Sequence, residues 1–101
     1  MSDDDHAAAA FLAAVDRLVH LASPDISTTA AATLLAIHLG LATDSRSIAK
    51  RLGLAHALVL REIAAASPRY IRTVKRDSRT QRTWLELTDD GRDLAQSSVS
   101  T

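Results

Sequence analysis

Residues 44–61 constrain the fold of this chain most strongly, because they contain both a start signal and a stop signal for a short helix. Asp44 is a residue type that caps helices by accepting hydrogen bonds from the free N–H groups of the first turn. Gly53 can enter the left-handed conformation that ends helices without a steric penalty. Apolar residues then return at helical spacing. The stretch therefore predicts two short helices joined by a tight turn, at about residues 45–52 and 55–67.

Three further segments are predicted to be helical. Apolar residues recur every three or four positions over residues 7–22 and again over residues 28–39. Ser23-Pro24 separates the two segments, because the residue before a proline disfavours helical backbone. Ser27 is expected to cap the second of them, which is apolar on most faces and should be central. A short last helix is expected at residues 92–96.

After Pro68 the apolar period changes from helical to two, which is typical of strands. Strands are expected at residues 70–74 and 83–87, with the polar and basic segment 75–82 as the tip between them. A small additional strand is expected at residues 41–43. The predicted fold class is therefore mainly helical with a small β-hairpin.

The length of 101 residues is that of a single domain. We expect the acidic residues 1–6 to be disordered, residues 7–96 to form the domain, and residues 97–101 to fray. The acidic start lacks the basic character of a secretory signal, and no apolar run approaches the roughly 20 residues that span a bilayer. Together with the absence of cysteine, these features favour a cytoplasmic protein that does not contact a membrane.

The chain offers little that could carry catalysis. None of its four histidines, at positions 6, 20, 38 and 56, has the i, i+4 spacing of a helical metal pair. The sequence contains neither a glycine-rich phosphate loop nor a nucleophile elbow. We therefore expect no enzymatic activity, no metal and no cofactor.

The formal net charge is zero, but the charge is unevenly distributed along the chain. Residues 43–83 contain ten Lys and Arg against three Asp and Glu, a net charge of +7. The flanking segments 1–42 and 84–101 carry −4 and −3. Because the positive segment coincides with the helix–turn–helix pattern and the hairpin, it indicates a polyanionic partner such as DNA rather than a merely solvated surface.

A helix–turn–helix followed by a basic hairpin, a leucine–threonine pair and a turn is the order of a winged helix–turn–helix. The motifs that accompany this order are IAKRLGL at 48–54, the spacing of Val59 and Arg61, Tyr70-Ile71, DSRTQR at 77–82 and LTDDGRDL at 87–94. With these motifs the chain resembles, over about residues 27–94, the MarR-type group of bacterial regulators.

The resemblance implies a DNA-binding transcriptional regulator of the bacterial cytoplasm. In the family pattern, the aspartate at Asp77 holds the arginine at Arg79, which enters the minor groove. The chain departs from the pattern at residues 67–69, where the family has a glycine before the first wing strand. It also lacks the two long C-terminal helices that build the family's dimer beside its effector pocket, so we do not expect a pocket of that type.

Homodimerisation, if the chain uses it, is expected through the first helix, whose apolar arc is wide for a terminal helix. The residues predicted for this contact are Phe11, Val15 and Leu18.

Duplex DNA is the expected partner, with most contacts made to phosphates. The predicted phosphate contacts are Ser45, Ser47, Lys50, Arg51, Arg72, Lys75, Arg76, Arg79 and Arg82. Base contacts are expected from His56 and Arg61, since arginine can form paired hydrogen bonds to guanine. The other exposed positions of that helix are alanine and leucine, which leaves an alternative open: a winged-helix protein-interaction or assembly module without sequence-specific DNA binding.

Overall fold

A computed structural model describes residues 3–100, with side chains from Asp5 onward, and within these residues the chain forms five helices and one two-stranded antiparallel sheet. In chain order the elements are α1 (Asp3–Ala22), α2 (Thr28–His38), α3 (Ser45–Leu52), α4 (His56–Ala66), β1 (Ile71–Arg76), β2 (Thr83–Leu87) and α5 (Asp89–Val99). The prediction of a mainly helical chain with one hairpin is confirmed. None of the described helices is long and apolar enough to cross a membrane.

The first and last helices are longer than expected. Helix α1 begins at Asp3, so the predicted disorder is wrong for residues 3–6, while residues 1 and 2 lie outside the described residues. Helix α5 continues to Val99, so the predicted fraying is wrong for residues 97–100, and residue 101 is outside the described part. Packing against α1 explains the longer α5: Ser98 is fully buried, and its carbonyl oxygen accepts a 2.7 Å hydrogen bond from Arg17 Nε.

The core lies between the helices and the inner face of the hairpin. Helix α2 is central as expected, with six of its eleven residues buried. Ser27 caps it by accepting from Ala30 N at 3.0 Å, and the same hydroxyl donates to Glu62 of α4 at 2.7 Å. This hydroxyl therefore couples the start of α2 to α4, the helix of the predicted site.

Two of the three residues predicted for a dimer contact lie on the side of α1 that faces the core of its own chain. Val15 and Leu18 are buried within the chain, and Phe11 is half-buried against the same core. A dimer contact through Val15 and Leu18 is therefore wrong, because their surface is already covered. The exposed leucines of α1 are instead Leu12 and Leu21.

The hairpin pairs β1 with β2 in an irregular register. Ile71 lies opposite Leu87 and Thr73 opposite Leu85, and the register then shifts between Thr73 and Lys75. Val74 is the extra residue at this irregularity, and its side chain is exposed, like the others of β1 after Ile71. The predicted strand at residues 41–43 is absent from the described structure, although Leu85 N donates to the carbonyl oxygen of residue 43 at 2.8 Å.

A glycine allows α5 to pack against the start of the hairpin. Thr88 caps α5, with its Oγ1 accepting from Gly91 N at 3.1 Å and donating to Arg69 O at 2.6 Å. A Cβ atom at Gly91 would lie 2.1 Å from the carbonyl oxygen of Tyr70. Only glycine therefore permits this approach, which anchors the base of β1 and β2 against the last helix.

Candidate nucleic-acid interface

Helix α3 has the start and stop that its sequence predicts. Asp44 Oδ2 accepts from Ser47 N at 3.0 Å, which satisfies a free donor of the first turn. Gly53 takes the left-handed conformation, with φ +67° and ψ +35°. Leu54 N then donates to Ala49 O at 2.9 Å, which closes the turn into α4.

An ion pair fastens the hairpin to the start of α3. Arg82 Nε lies 2.8 Å from Asp44 Oδ2, and Arg82 Nη2 lies 3.3 Å from Ser47 Oγ. The Asp44 side chain is nearly buried, whereas that of Arg82 is about two-fifths exposed. Arg82 and Ser47 were predicted to contact phosphates; their polar atoms are instead engaged in holding the two elements together.

This environment perturbs the Asp44 carboxyl. Burial alone would raise its pKa, but hydrogen bonds from the Arg82 guanidinium and the Ser47 backbone N–H outweigh burial and lower the pKa to about 2. The carboxylate is therefore charged at neutral pH, and the ion pair is formed.

A buried serine forms the second link between α3 and the hairpin. Ser45 is completely buried, and its Oγ accepts from Thr83 N at 2.9 Å. The same oxygen lies 2.8 Å from Nε2 of His56 on α4. The predicted phosphate contact of Ser45 is therefore wrong, because the side chain is inaccessible to DNA. His56, predicted to contact a base, has this nitrogen occupied by Ser45.

The Ser45–His56 contact suits a neutral imidazole. Since Ser45 Oγ accepts from Thr83, its proton is available to donate to a lone pair on Nε2. Burial and the positive charge of Arg46 lower the pKa of His56, and the charge of Asp44 opposes them. Protonation of His56 would reverse the direction of this hydrogen bond and place a positive charge in a partly buried position near Arg46, which destabilises the junction of α3, α4 and β2.

We expect the free energy of unfolding to fall as the pH is lowered below about 6.5, the ordinary value for histidine. The direction of this change follows from the lowered pKa of His56 in the folded chain, because on acidification the unfolded chain binds a proton before the folded chain does. Urea unfolding at several values between about pH 8 and about pH 5.5 measures the pH dependence of the free energy of unfolding. His56→Gln, which keeps an acceptor but does not titrate, should flatten the dependence; an unchanged slope in this variant would contradict the assignment.

The tip of the hairpin is held mainly by backbone contacts. Asp77 Oδ1 accepts from the backbone N of Arg79 at 2.9 Å, and Gln81 takes a positive φ of 63°. Arg46 Nη2 on α3 donates to the carbonyl oxygen of Thr80 at 2.9 Å. The expected contact between Asp77 and the Arg79 side chain is not among the described interactions. The aspartate shapes the backbone of the tip instead.

Two other cations of the hairpin that were predicted to contact phosphates have partners within the chain. Arg72 Nη2 lies 2.6 Å from Glu86 Oε1 on the paired strand, which offsets its charge. Lys75 lies 5.0 Å above the centre of the Trp84 ring, and Arg82 lies 5.5 Å from it. The Trp84 ring therefore supports two cations of the hairpin.

Four of the cations that were predicted to contact phosphates are exposed. Their side chains form no ion pair or hydrogen bond with another described residue. They are Lys50, Arg51, Arg76 and Arg79. Arg61 on α4 is also exposed, at 74% of its side chain, with a looser 3.7 Å contact to Glu62. These five side chains are the ones that remain available to a polyanion.

Helix α4 and the hairpin enclose a groove of about 400 Å³. Leu60 and Ala64 line it from α4, and Arg76 and Gln81 line it from the hairpin. The groove places one of the free arginines directly beside α4. Two residues that hold α3 against the hairpin were not predicted in that role: Arg46 and Asp44 act across 34 and 38 positions of sequence, for which local patterns give no signal.

Comparison of the chain with protein-family models finds no match, and comparison with curated proteins finds none either. Within residues 3–100, no cluster of three or more His, Asp or Glu side chains could hold a metal ion. Function must therefore be inferred from the geometry and the charges described above.

Proposed function

We propose that this chain is a DNA-binding transcriptional regulator with a winged-helix fold of MarR-like type, acting on duplex DNA in the bacterial cytoplasm. In this proposal α3, the Gly53 turn and α4 form the helix–turn–helix, and α4 enters the major groove. The β1–β2 hairpin is the wing, which contacts the backbone beside it.

The observation that supports this proposal best is the placement of the free cations. Lys50 and Arg51 lie on α3, and Arg76 and Arg79 lie on the hairpin. Contacts between α3 and the hairpin, made by Arg46, Asp44 and Ser45 with residues of the tip and β2, hold these two elements together. Two cationic elements held in contact in this way can present their charges to neighbouring phosphates of one duplex.

Base recognition in this proposal depends on few residues. Arg61 is the one long cation on α4, and it could form paired hydrogen bonds to guanine. Since His56 is occupied by Ser45, the rest of the exposed helix surface consists mostly of alanine and leucine. We therefore propose that phosphate contacts and the shape of the duplex contribute more to recognition than direct base contacts do.

The test is the salt dependence of binding to duplex DNA, followed by fluorescence anisotropy of a labelled duplex. Contacts from the four free cations of α3 and the hairpin should give a slope of about −3 to −4 in log K against log salt, because each neutralised phosphate releases counterions. A folded protein that does not bind at low salt, or binds with no salt dependence, would rule the proposal out.

A second candidate function is a protein-interaction or assembly module. The observation that favours it is the exposed apolar side of α4, where Ala57 and Ala64 are accessible and Leu58 and Leu60 are half-buried. The same titration separates the two candidates. Absence of DNA binding, together with a protein partner whose capture is lost on Ala57→Glu, would favour the module.

A further inference from the structure

The tip of the hairpin carries one hydroxyl that the fold does not use. Ser78 is exposed in the turn between β1 and β2, and its Oγ makes no hydrogen bond with the described residues. The next two hydroxyls along the chain are engaged. Thr80 Oγ1 accepts from a backbone N–H at 3.2 Å, and Thr83 Oγ1 donates to a backbone carbonyl oxygen at 3.0 Å. A chemical group added to Ser78 Oγ therefore displaces no contact of the turn.

The residues on either side of Ser78 hold it at the tip. Asp77 Oδ1 accepts from Arg79 N at 2.9 Å, and Gln81 Nε2 donates to Ser78 O at 2.9 Å. These bonds use neighbouring side chains and the backbone of Ser78, and they leave its own side chain exposed. The hydroxyl is therefore accessible to an enzyme while the strands stay paired.

Basic residues surround this hydroxyl. Lys75 and Arg76 stand three and two positions before Ser78, and no other serine or threonine of the chain has Lys or Arg at both of these positions. Arg79 follows Ser78 directly. The side chains of Arg76 and Arg79 are exposed and form no ion pair or hydrogen bond with another described residue. Charge patterns around the acceptor are one means by which protein kinases select their substrates.

We propose that Ser78 is the phosphorylation site of a serine/threonine protein kinase that selects basic substrates, and that the phosphate switches off the cationic hairpin. In the reaction, Ser78 Oγ attacks the γ-phosphorus of ATP, and the hydroxyl proton passes to a base of the kinase. The bond between the γ-phosphorus and the β–γ bridging oxygen breaks, and ADP leaves. The switch rests on the proposed DNA-binding function, whereas the modification site does not.

The phosphate changes the charge of the tip. Residues 75–82 contain four Lys and Arg and one Asp, a net charge of +3, and a phosphoserine adds about −1.5 to −2 at neutral pH. Its oxygens accept charge-assisted hydrogen bonds from arginine, as the phosphates of DNA do. A phosphoryl group between Arg76 and Arg79 therefore pairs with them within the chain and repels the phosphates of a duplex.

Incorporation of phosphate tests the site without DNA. The folded full chain is incubated with ATP and the catalytic domain of a serine/threonine kinase that selects basic residues at the third and second positions before the acceptor. Mass spectrometry should find one phosphate, on Ser78, and none in Ser78→Ala. The rate should be at least about tenfold lower in Lys75→Ala/Arg76→Ala. Absence of phosphate on Ser78, or an unchanged rate in the double variant, would overturn the site.

DNA binding of the modified chain tests the switch. With phosphoserine incorporated at Ser78, the chain should bind duplex DNA at least about 30-fold more weakly at moderate salt, and the salt slope should fall by about 2, because two phosphate contacts are lost. Phosphoserine at Ser97 is the matched control, since it adds the same charge at an exposed residue of α5, outside the hairpin. It should leave the slope unchanged and weaken binding by less than about threefold.

The outcomes distinguish this inference from the proposed function. If the unmodified chain does not bind DNA, the proposed function and the switch fail together, and incorporation of phosphate alone decides whether Ser78 is a modification site. If the unmodified chain binds DNA but phosphoserine at Ser78 weakens binding no more than phosphoserine at Ser97 does, the proposed function stands and the switch is overturned.

Discussion

Replacement of Asp44 by alanine is expected to lower the free energy of unfolding by about 3 kcal/mol, because it removes a helix cap and one partner of an ion pair. The cap accepts from Ser47 N at 3.0 Å, and its loss alone costs about 1 kcal/mol. The pair with Arg82 adds about 2 kcal/mol, below the value for a fully buried pair because Arg82 is partly exposed. Urea unfolding near neutral pH measures the sum.

Asp44→Asn is the matched control for that variant. Asparagine caps helices about as well as aspartate but has no charge, so this variant should lose only the ion-pair part of the stability. Equal losses in Asp44→Ala and Asp44→Asn would show that the cap contributes nothing. No loss in either variant would contradict the assignment of Asp44 as the link between α3 and the hairpin.

The same carboxylate predicts a loss of stability in acid. Its pKa is about 2 in the folded chain against an ordinary value of 3.8. Because the unfolded chain binds the proton first, the stability is complete above about pH 5 and is lost as the pH falls toward 2, by about 2 kcal/mol. In Asp44→Asn this part of the acid dependence should be absent.

The second large effect is on DNA affinity, and it is expected if the chain binds DNA as proposed. The double variant Arg76→Ala/Arg79→Ala should weaken binding about 30-fold at moderate salt and reduce the salt slope by about 2, since two phosphate contacts are lost. The loss should be similar for all duplex sequences, because contacts to phosphates do not distinguish bases. Fluorescence anisotropy over a range of salt concentrations provides both quantities.

A variant with the same change in charge separates contact from net charge. Arg69 pairs with Asp25 at 2.7 Å, and Arg92 pairs with Asp89, and neither arginine belongs to the proposed site. Arg69→Ala/Arg92→Ala should therefore leave the salt slope unchanged. If both double variants reduce the slope equally, DNA is responding to the overall charge of the protein and not to the hairpin.

Local features of the sequence were sufficient for the order and type of most elements. Asp44 and Gly53 predict the bounds of α3 because capping and left-handed backbone are properties of single residues. The change of apolar period after Pro68 predicts the hairpin because side chains alternate along a strand. Helices α1 and α5 were both predicted too short. For α5 the reason is that Ser98 is buried and hydrogen-bonded to Arg17 of α1, a contact that no local pattern reports.

The sequence by itself determined that a net charge of +7 lies on residues 43–83, since charge depends only on composition. Only the tertiary structure decided which cations of that segment are free. Arg82 is engaged by Asp44, 38 residues away, and Arg72 by Glu86 across the hairpin, whereas Arg76 and Arg79 remain exposed. The physical reason is that ion pairs and burial depend on distances in space. Residues far apart in sequence are brought into contact only when the core of helices and hairpin has packed.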